Sequence, residues 1–118
     1  MAKKSSDLSF INGVPELLML QLLARKEMYG YEIVQAIANS TGQQIVVGEG
    51  CVYPILHAME KNRWVAARSV PHGGRTRIYY RLTDKGRKKL QQASARWAKM
   101  AGAIGAVLGG APSGEPSV

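Results

Sequence analysis

The sequence predicts a mainly α-helical domain with one small β-hairpin and a long final helix. Three observations carry that prediction. Apolar residues recur at helical spacing in segments before residue 62. Between residues 63 and 83 the pattern switches to alternation of apolar and polar positions, as in strands. From Leu90 to Val107 an apolar seam repeats at heptad spacing. The chain of 118 residues is one domain's worth. At 46% hydrophobic and 20% charged residues, its composition is that of a folded protein rather than a disordered one.

Residues 1–13 read as an N-terminal arm, its first seven residues polar and carrying Lys3 and Lys4. A first helix begins near Val14, with Pro15 in its first turn and Glu16 placed well against the helix dipole. Leu17, Leu18, Met19, Leu20, Leu22 and Leu23 cover nearly every side of it, so it must be buried on more than one face. In so small a domain the second burial surface points to another subunit. Met28–Gly42 reads as the next helical segment, with Ile33, Val34, Ile37 and Ala38 as its inner stripe. Gly42 sits where a left-handed C-terminal cap belongs, and Gly30 suits a close approach of backbone. A linker over residues 43–49 leads to a third helix beginning at about Gly50, where Pro54 limits how early the helix can start. Val52, Ile55, Leu56 and Met59 make its inner face; Tyr53, His57 and Lys61 face outward.

Two short helices joined in this way are a helix-turn-helix pattern. Two alternating segments follow, separated by Pro71-His-Gly-Gly-Arg75, whose glycines accept positive φ. Strand, turn and strand after a third helix make a wing, so residues 14–82 predict a winged helix-turn-helix. Arg68, His72, Arg75, Arg77 and Arg81 stand on this wing without an acidic residue among them. Thr83 and Asp84 cap a final helix over residues 83–108, whose seam is Leu90, Ala93, Trp97, Met100, Ile104 and Val107. Its other faces carry Arg87, Lys88, Lys89, Arg96 and Lys99. Such a seam on a helix leaving the domain predicts a partner helix. Gly102 and Gly105 either weaken its distal half or let another helix approach closely. Residues 109–118 read as a flexible tail.

The net charge of +8, from 16 basic against 8 acidic residues, favours a polyanionic partner, nucleic acid first and anionic membrane second. The single cysteine, Cys51, leaves no intrachain disulfide and suits a reducing cytosol. No apolar run of roughly 18 residues exists, and the N-terminus lacks the apolar core of a signal peptide, which predicts a cytoplasmic protein without a membrane span. His57, His72 and Cys51 fall on different predicted elements with no metal or nucleophile spacing, so no enzyme, metal site or cofactor is expected.

The ordered set Leu17-Leu-Met-Leu-Gln-Leu-Leu23, Met28-Tyr-Gly-Tyr-Glu-Ile33, Glu49-Gly-Cys-Val-Tyr-Pro-Ile-Leu56, Met59-Glu-Lys61, Gly73-Gly-Arg-Thr-Arg-Ile-Tyr-Tyr-Arg-Leu-Thr83 and Gly86 resembles the PadR family of bacterial transcriptional regulators. The resemblance covers residues 14 to 100 or so. It implies a winged-helix homodimer held by the C-terminal helix, binding palindromic double-stranded operator DNA, usually as a repressor. The single helix after the wing resembles the short members, some of which hold flat aromatic or drug-like compounds at the dimer interface. A tryptophan that stacks on the ligand in that group matches Trp97, although plain interface packing also explains an aromatic there. Where the family often has a serine or asparagine cap and then Gly-Thr-Leu-Tyr, this chain has Gly48-Glu-Gly-Cys-Val-Tyr53, so a thiol replaces a hydroxyl suited to a phosphate.

The residues expected to meet DNA are Cys51, Tyr53, Pro54, His57 and Lys61 on the third helix and His72, Gly73, Gly74, Arg75 and Arg77 on the wing. The expected dimer contacts are Leu17, Leu20, Leu90, Ala93, Trp97, Met100, Ile104 and Val107. An effector would touch Leu18, Trp97, Met100 and Ile104. A thiol at a helix N-terminus is also a candidate for oxidation, though a half-buried packing cysteine is the commoner outcome. The alternative to a DNA-binding regulator is a winged-helix module that docks on protein.

Overall fold

A computed structural model describes residues 13–109. Among these residues four helices and a three-stranded antiparallel sheet follow in the order α1 (Val14–Arg25), β1 (Met28–Tyr29), α2 (Gly30–Ser40), α3 (Glu49–Lys61), β2 (Val65–His72), β3 (Arg75–Leu82) and α4 (Asp84–Leu108). The arm up to residue 12, with Lys3 and Lys4, and the tail from residue 110 lie outside the described residues. Among the described residues no helix is long and apolar enough to cross a membrane.

The sheet is larger than the hairpin expected. Met28 and Tyr29 do not begin α2 but pair with Tyr80 and Tyr79, giving the strand order β1-β3-β2. This two-residue strand has no local signature, because its partner lies on β3, far along the chain. α2 therefore begins at Gly30, and Glu32 holds its first turn by accepting a hydrogen bond from the Tyr29 N–H at 3.2 Å. At its other end the N–H groups of Gly42 and Gln43 reach back to the carbonyls of Asn39 and Ala38, a Schellman closure with Gly42 at φ +60°.

α3 starts one residue earlier than expected, at Glu49, behind a Gly48 cap that makes no side-chain hydrogen bond. Pro54 thus sits inside the helix rather than in its first turn, and Gly50 loses the N–H its carbonyl would otherwise accept from. β2 and β3 join through a two-residue turn in which Gly73 and Gly74 both hold positive φ, and His72 faces Arg75. Pro71 and His72 belong to the strand rather than to the turn. Thr83 caps α4 by accepting from the Gly86 N–H at 3.0 Å, while its hydroxyl donates to the Arg63 carbonyl at 2.7 Å.

One core unites these elements. Met19, Leu20, Ile33, Ile37, Val52, Leu56 and Met59 are almost wholly buried, with Met28, Val65, Tyr80 and Leu82 closing the sheet side. Tyr80 pays for this position with a phenol pushed above its ordinary pKa, chiefly by burial. α4 packs on α1, α1 on α2, and α2 on α3. The chain itself thus covers α1 more fully than its apolar sequence suggests, and Leu20, expected at a dimer contact, has no surface left for a partner.

Candidate nucleic-acid interface

α3 buries Val52, Leu56 and Met59 and half-buries Ile55, which sets its opposite face toward solvent. Pro54, His57 and Lys61 are exposed there, and Cys51 is half-buried near the N-terminus. Tyr53 departs from the expectation of an outward side chain. Its ring and hydroxyl lie against Gly30, so closely that a Cβ on Gly30 would overlap them. Tyr53 therefore fixes α3 on α2, with His57 beside it at 6.3 Å between ring centroids.

On the wing, His72, Gly73, Gly74 and Arg75 form the exposed tip. The arginines below them are not equivalent. Arg68 makes a bidentate pair with Glu27, Nε to Oε2 at 2.6 Å and Nη2 to Oε1 at 2.7 Å. Arg77 is half-buried, its guanidinium 4.1 Å from the Tyr29 ring centroid. Tyr29 meets Tyr79 edge-on at 5.3 Å, and Arg68 lies 5.8 Å from the Tyr79 ring. Because Tyr29, Tyr79 and Arg68 are directly opposed in register, these groups form one ladder across the outer face of the sheet. The Arg68 hydrogen bonds hold the Glu27 carboxyl below its ordinary value of 4.5.

The wing is thus not free of acid, as its own sequence suggests; Glu27 supplies one from the α1–β1 junction. Alternation of Arg77 and Tyr79 hints at the ladder, but nothing in the sequence links Glu27 to a residue 41 positions away.

A second feature is an open groove of about 330 Å³ between α1 and α4, lined in part by Val14, Glu16, Leu17, Ala93, Arg96 and Trp97. It takes in Leu17, Ala93 and Trp97 from the expected sets. Leu18 instead lines a smaller cleft of about 190 Å³ between α1 and α2, with Arg25, Ile37 and Thr41. Met100 and Ile104 lie further along α4 and do not line the Trp97 groove, so within one subunit the four expected effector residues do not converge. Leu90 and Met100 are half-buried, whereas Trp97, Ile104 and Val107 are 42%, 49% and 86% exposed.

A helix-turn-helix pair braced by a three-stranded wing, with its third helix outward, defines a winged-helix DNA-binding protein. The model of the transcriptional regulator PadR-like family matches residues 19–92, and the chain belongs to that family. Its members are DNA-binding transcriptional regulators, not enzymes. The chain is 34% identical to protein X of Lysinibacillus sphaericus, over 76% of this chain and 84% of that one. It is 30% identical to the transcriptional regulator YqjI of Escherichia coli over 70% of its own length, but spans only 39% of that protein. Among solved structures, a transcriptional regulator from Clostridium thermocellum superposes with a TM-score of 0.74 at 27% identity, covering 88% of this chain and 94% of the other. A PadR-like transcriptional regulator from Bacillus cereus gives 0.72 at 28% identity, over 86% and 98%.

Proposed function

We propose that this regulator acts as a homodimer on palindromic operator DNA, as a repressor released by a flat aromatic or drug-like effector bound between its subunits. In this reading residues 14–82 bind DNA and residues 83–108 dimerise. The observation that carries the dimer is the run of exposed apolar residues at heptad spacing on α4: Val107 at 86% and Ile104 at 49% have little cover within their own chain. Two α3 helices related by a two-fold axis would enter successive major grooves about 34 Å apart. Pro54, His57 and Lys61 face the groove, Cys51 lies near the backbone, and the tip residues His72, Gly73, Gly74 and Arg75 meet phosphate or the minor groove.

The effector site is the α1–α4 groove beside Trp97, completed by a second subunit. A ligand there acts only by binding better to one spacing of the recognition helices than to another. The test is binding to the protein's own upstream DNA across a salt series, with competitor DNA and with the His57→Ala/Lys61→Ala variant. Nanomolar, competitor-resistant binding that the variant loses supports the regulator. Weak binding indifferent to sequence overturns it and favours the protein-docking module.

A further inference from the structure

The recognition helix is not where this chain keeps its positive charge. α3 carries Glu49 and Glu60 against Lys61, a net −1. α4 carries six basic residues against Asp84 alone, a net +5 of the chain's +8. At about 100° per residue, Lys85, Lys88, Gln92, Arg96 and Lys99 fall on one face of α4, with Lys89 at its border. The seam of Leu90, Ala93, Trp97, Met100 and Ile104 is centred about 120° around the helix, and Gln92 and Arg96 border the α1–α4 groove that Ala93 and Trp97 also line. Lys85, Lys88, Gln92, Arg96 and Lys99 are all exposed, while Lys89 is held over the Trp64 ring at 4.7 Å. From Lys85 to Lys99 the face runs about 21 Å, at 1.5 Å per residue.

We propose that this face of α4 is a second polyanion-binding surface, and that its occupant is the sugar-phosphate backbone of a second DNA duplex. The charge complementarity is direct: cations recur every three to four residues, with no acid on α4 after Asp84. Between Lys85 and Lys99 the other residues of this face are Gln92 and Ala95, neither of them a large apolar side chain that could insert into a lipid interface. That favours phosphate backbone over membrane. α4 meets the residues that close α3, Arg63 and Trp64, at its first turns and then packs chiefly along α1. A duplex on α3 and another on α4 can be held together, and the regulator bridges DNA segments. The proposal rests on the operator-binding reading only for the first duplex.

The experiment uses the full chain with two 20-base-pair duplexes, one carrying a donor dye and one an acceptor, at rising salt. Energy transfer between duplexes is expected for the wild type. It should be lost in Lys85→Gln/Lys88→Gln/Lys99→Gln, with single-operator binding kept and the salt slope of second-duplex binding shallower by about 3, at roughly 0.9 per phosphate contact. Should α3 fail as the recognition element, DNA binding would survive the His57→Ala/Lys61→Ala variant yet fall with the three lysines. The surface on α4 would then stand while the operator reading falls. A wild type that saturates at one duplex, or transfer that the triple variant retains, overturns the proposal. So does tighter binding to phosphatidylglycerol vesicles than to DNA.

Discussion

Gly86 shows how much one missing methyl group matters. A Cβ there would fall on the Trp64 carbonyl oxygen and crowd the Leu82 side chain, and a backbone carbonyl yields less readily than a side-chain tip. Gly86→Ala should cost about 3 kcal/mol or more, toward the upper end for overpacking, and read as a lowered urea midpoint with an unchanged slope. Arg63 offers the opposite sign. It closes α3 in a left-handed conformation at φ +64°, with its N–H and that of Trp64 bonded to the Glu60 and Met59 carbonyls at 2.9 Å. Glycine at that position removes about 1 kcal/mol of steric cost and returns part of it as unfolded-chain entropy. Arg63→Gly should therefore stabilise by about 0.5 kcal/mol in denaturant unfolding. The wing arginines differ in the same residue-by-residue way. Arg75→Gln should flatten the DNA salt slope by about 0.9, whereas Arg68→Gln, which removes a cation already paired with Glu27, should leave it nearly unchanged.

The wing behaves as an element only because its base is fastened. β1 supplies two residues of ladder, and the Glu27–Arg68 pair ties β2 to the α1–β1 junction. The folded Glu27 carboxyl titrates below its usual 4.5, chiefly because Arg68 hydrogen-bonds its ionised form. Between the two pKa values the unfolded chain binds more protons than the folded one, so this contribution rises with pH there. It is present above about pH 4.5 and is lost as pH falls through the lowered folded value. Relative to its intrinsic rate at each pH, amide exchange in β2 should accordingly accelerate in the wild type as the pH falls below about 4.5. In Glu27→Gln it should already be fast at pH 7, and a variant as protected as the wild type would show that the pair does not hold the wing.

At the scale of the whole molecule, the core is complete within one chain while α4 is not. Its last turns expose Ile104, Val107 and Leu108, a set that is costly to leave in water and available to another copy. Ile104→Asp/Val107→Asp should shift sedimentation from dimer to monomer while leaving the helical circular dichroism signal near that of the wild type. DNA affinity should fall with it, because two half-sites are then bound independently. A double variant that stays dimeric would place the interface elsewhere.

Local pattern by itself determined much of this protein. The inner stripes of α2 and α3, the Gly73-Gly74 turn and the Thr83 cap are each set within a few residues, where periodicity and turn chemistry act directly. The order of these elements was enough to point to the winged helix, and the resemblance of its residue motifs pointed to the family. Only the tertiary structure decided what depends on residues distant in sequence. It recruited Met28 and Tyr29 into the sheet, paired Glu27 with Arg68, turned Tyr53 inward onto Gly30 and drew Leu20 wholly into the core. It also separated Leu18 from the Trp97 groove. In each case two side chains or strands compete for the same neighbour, and that contest is settled by packing across the fold, which no window of local sequence records.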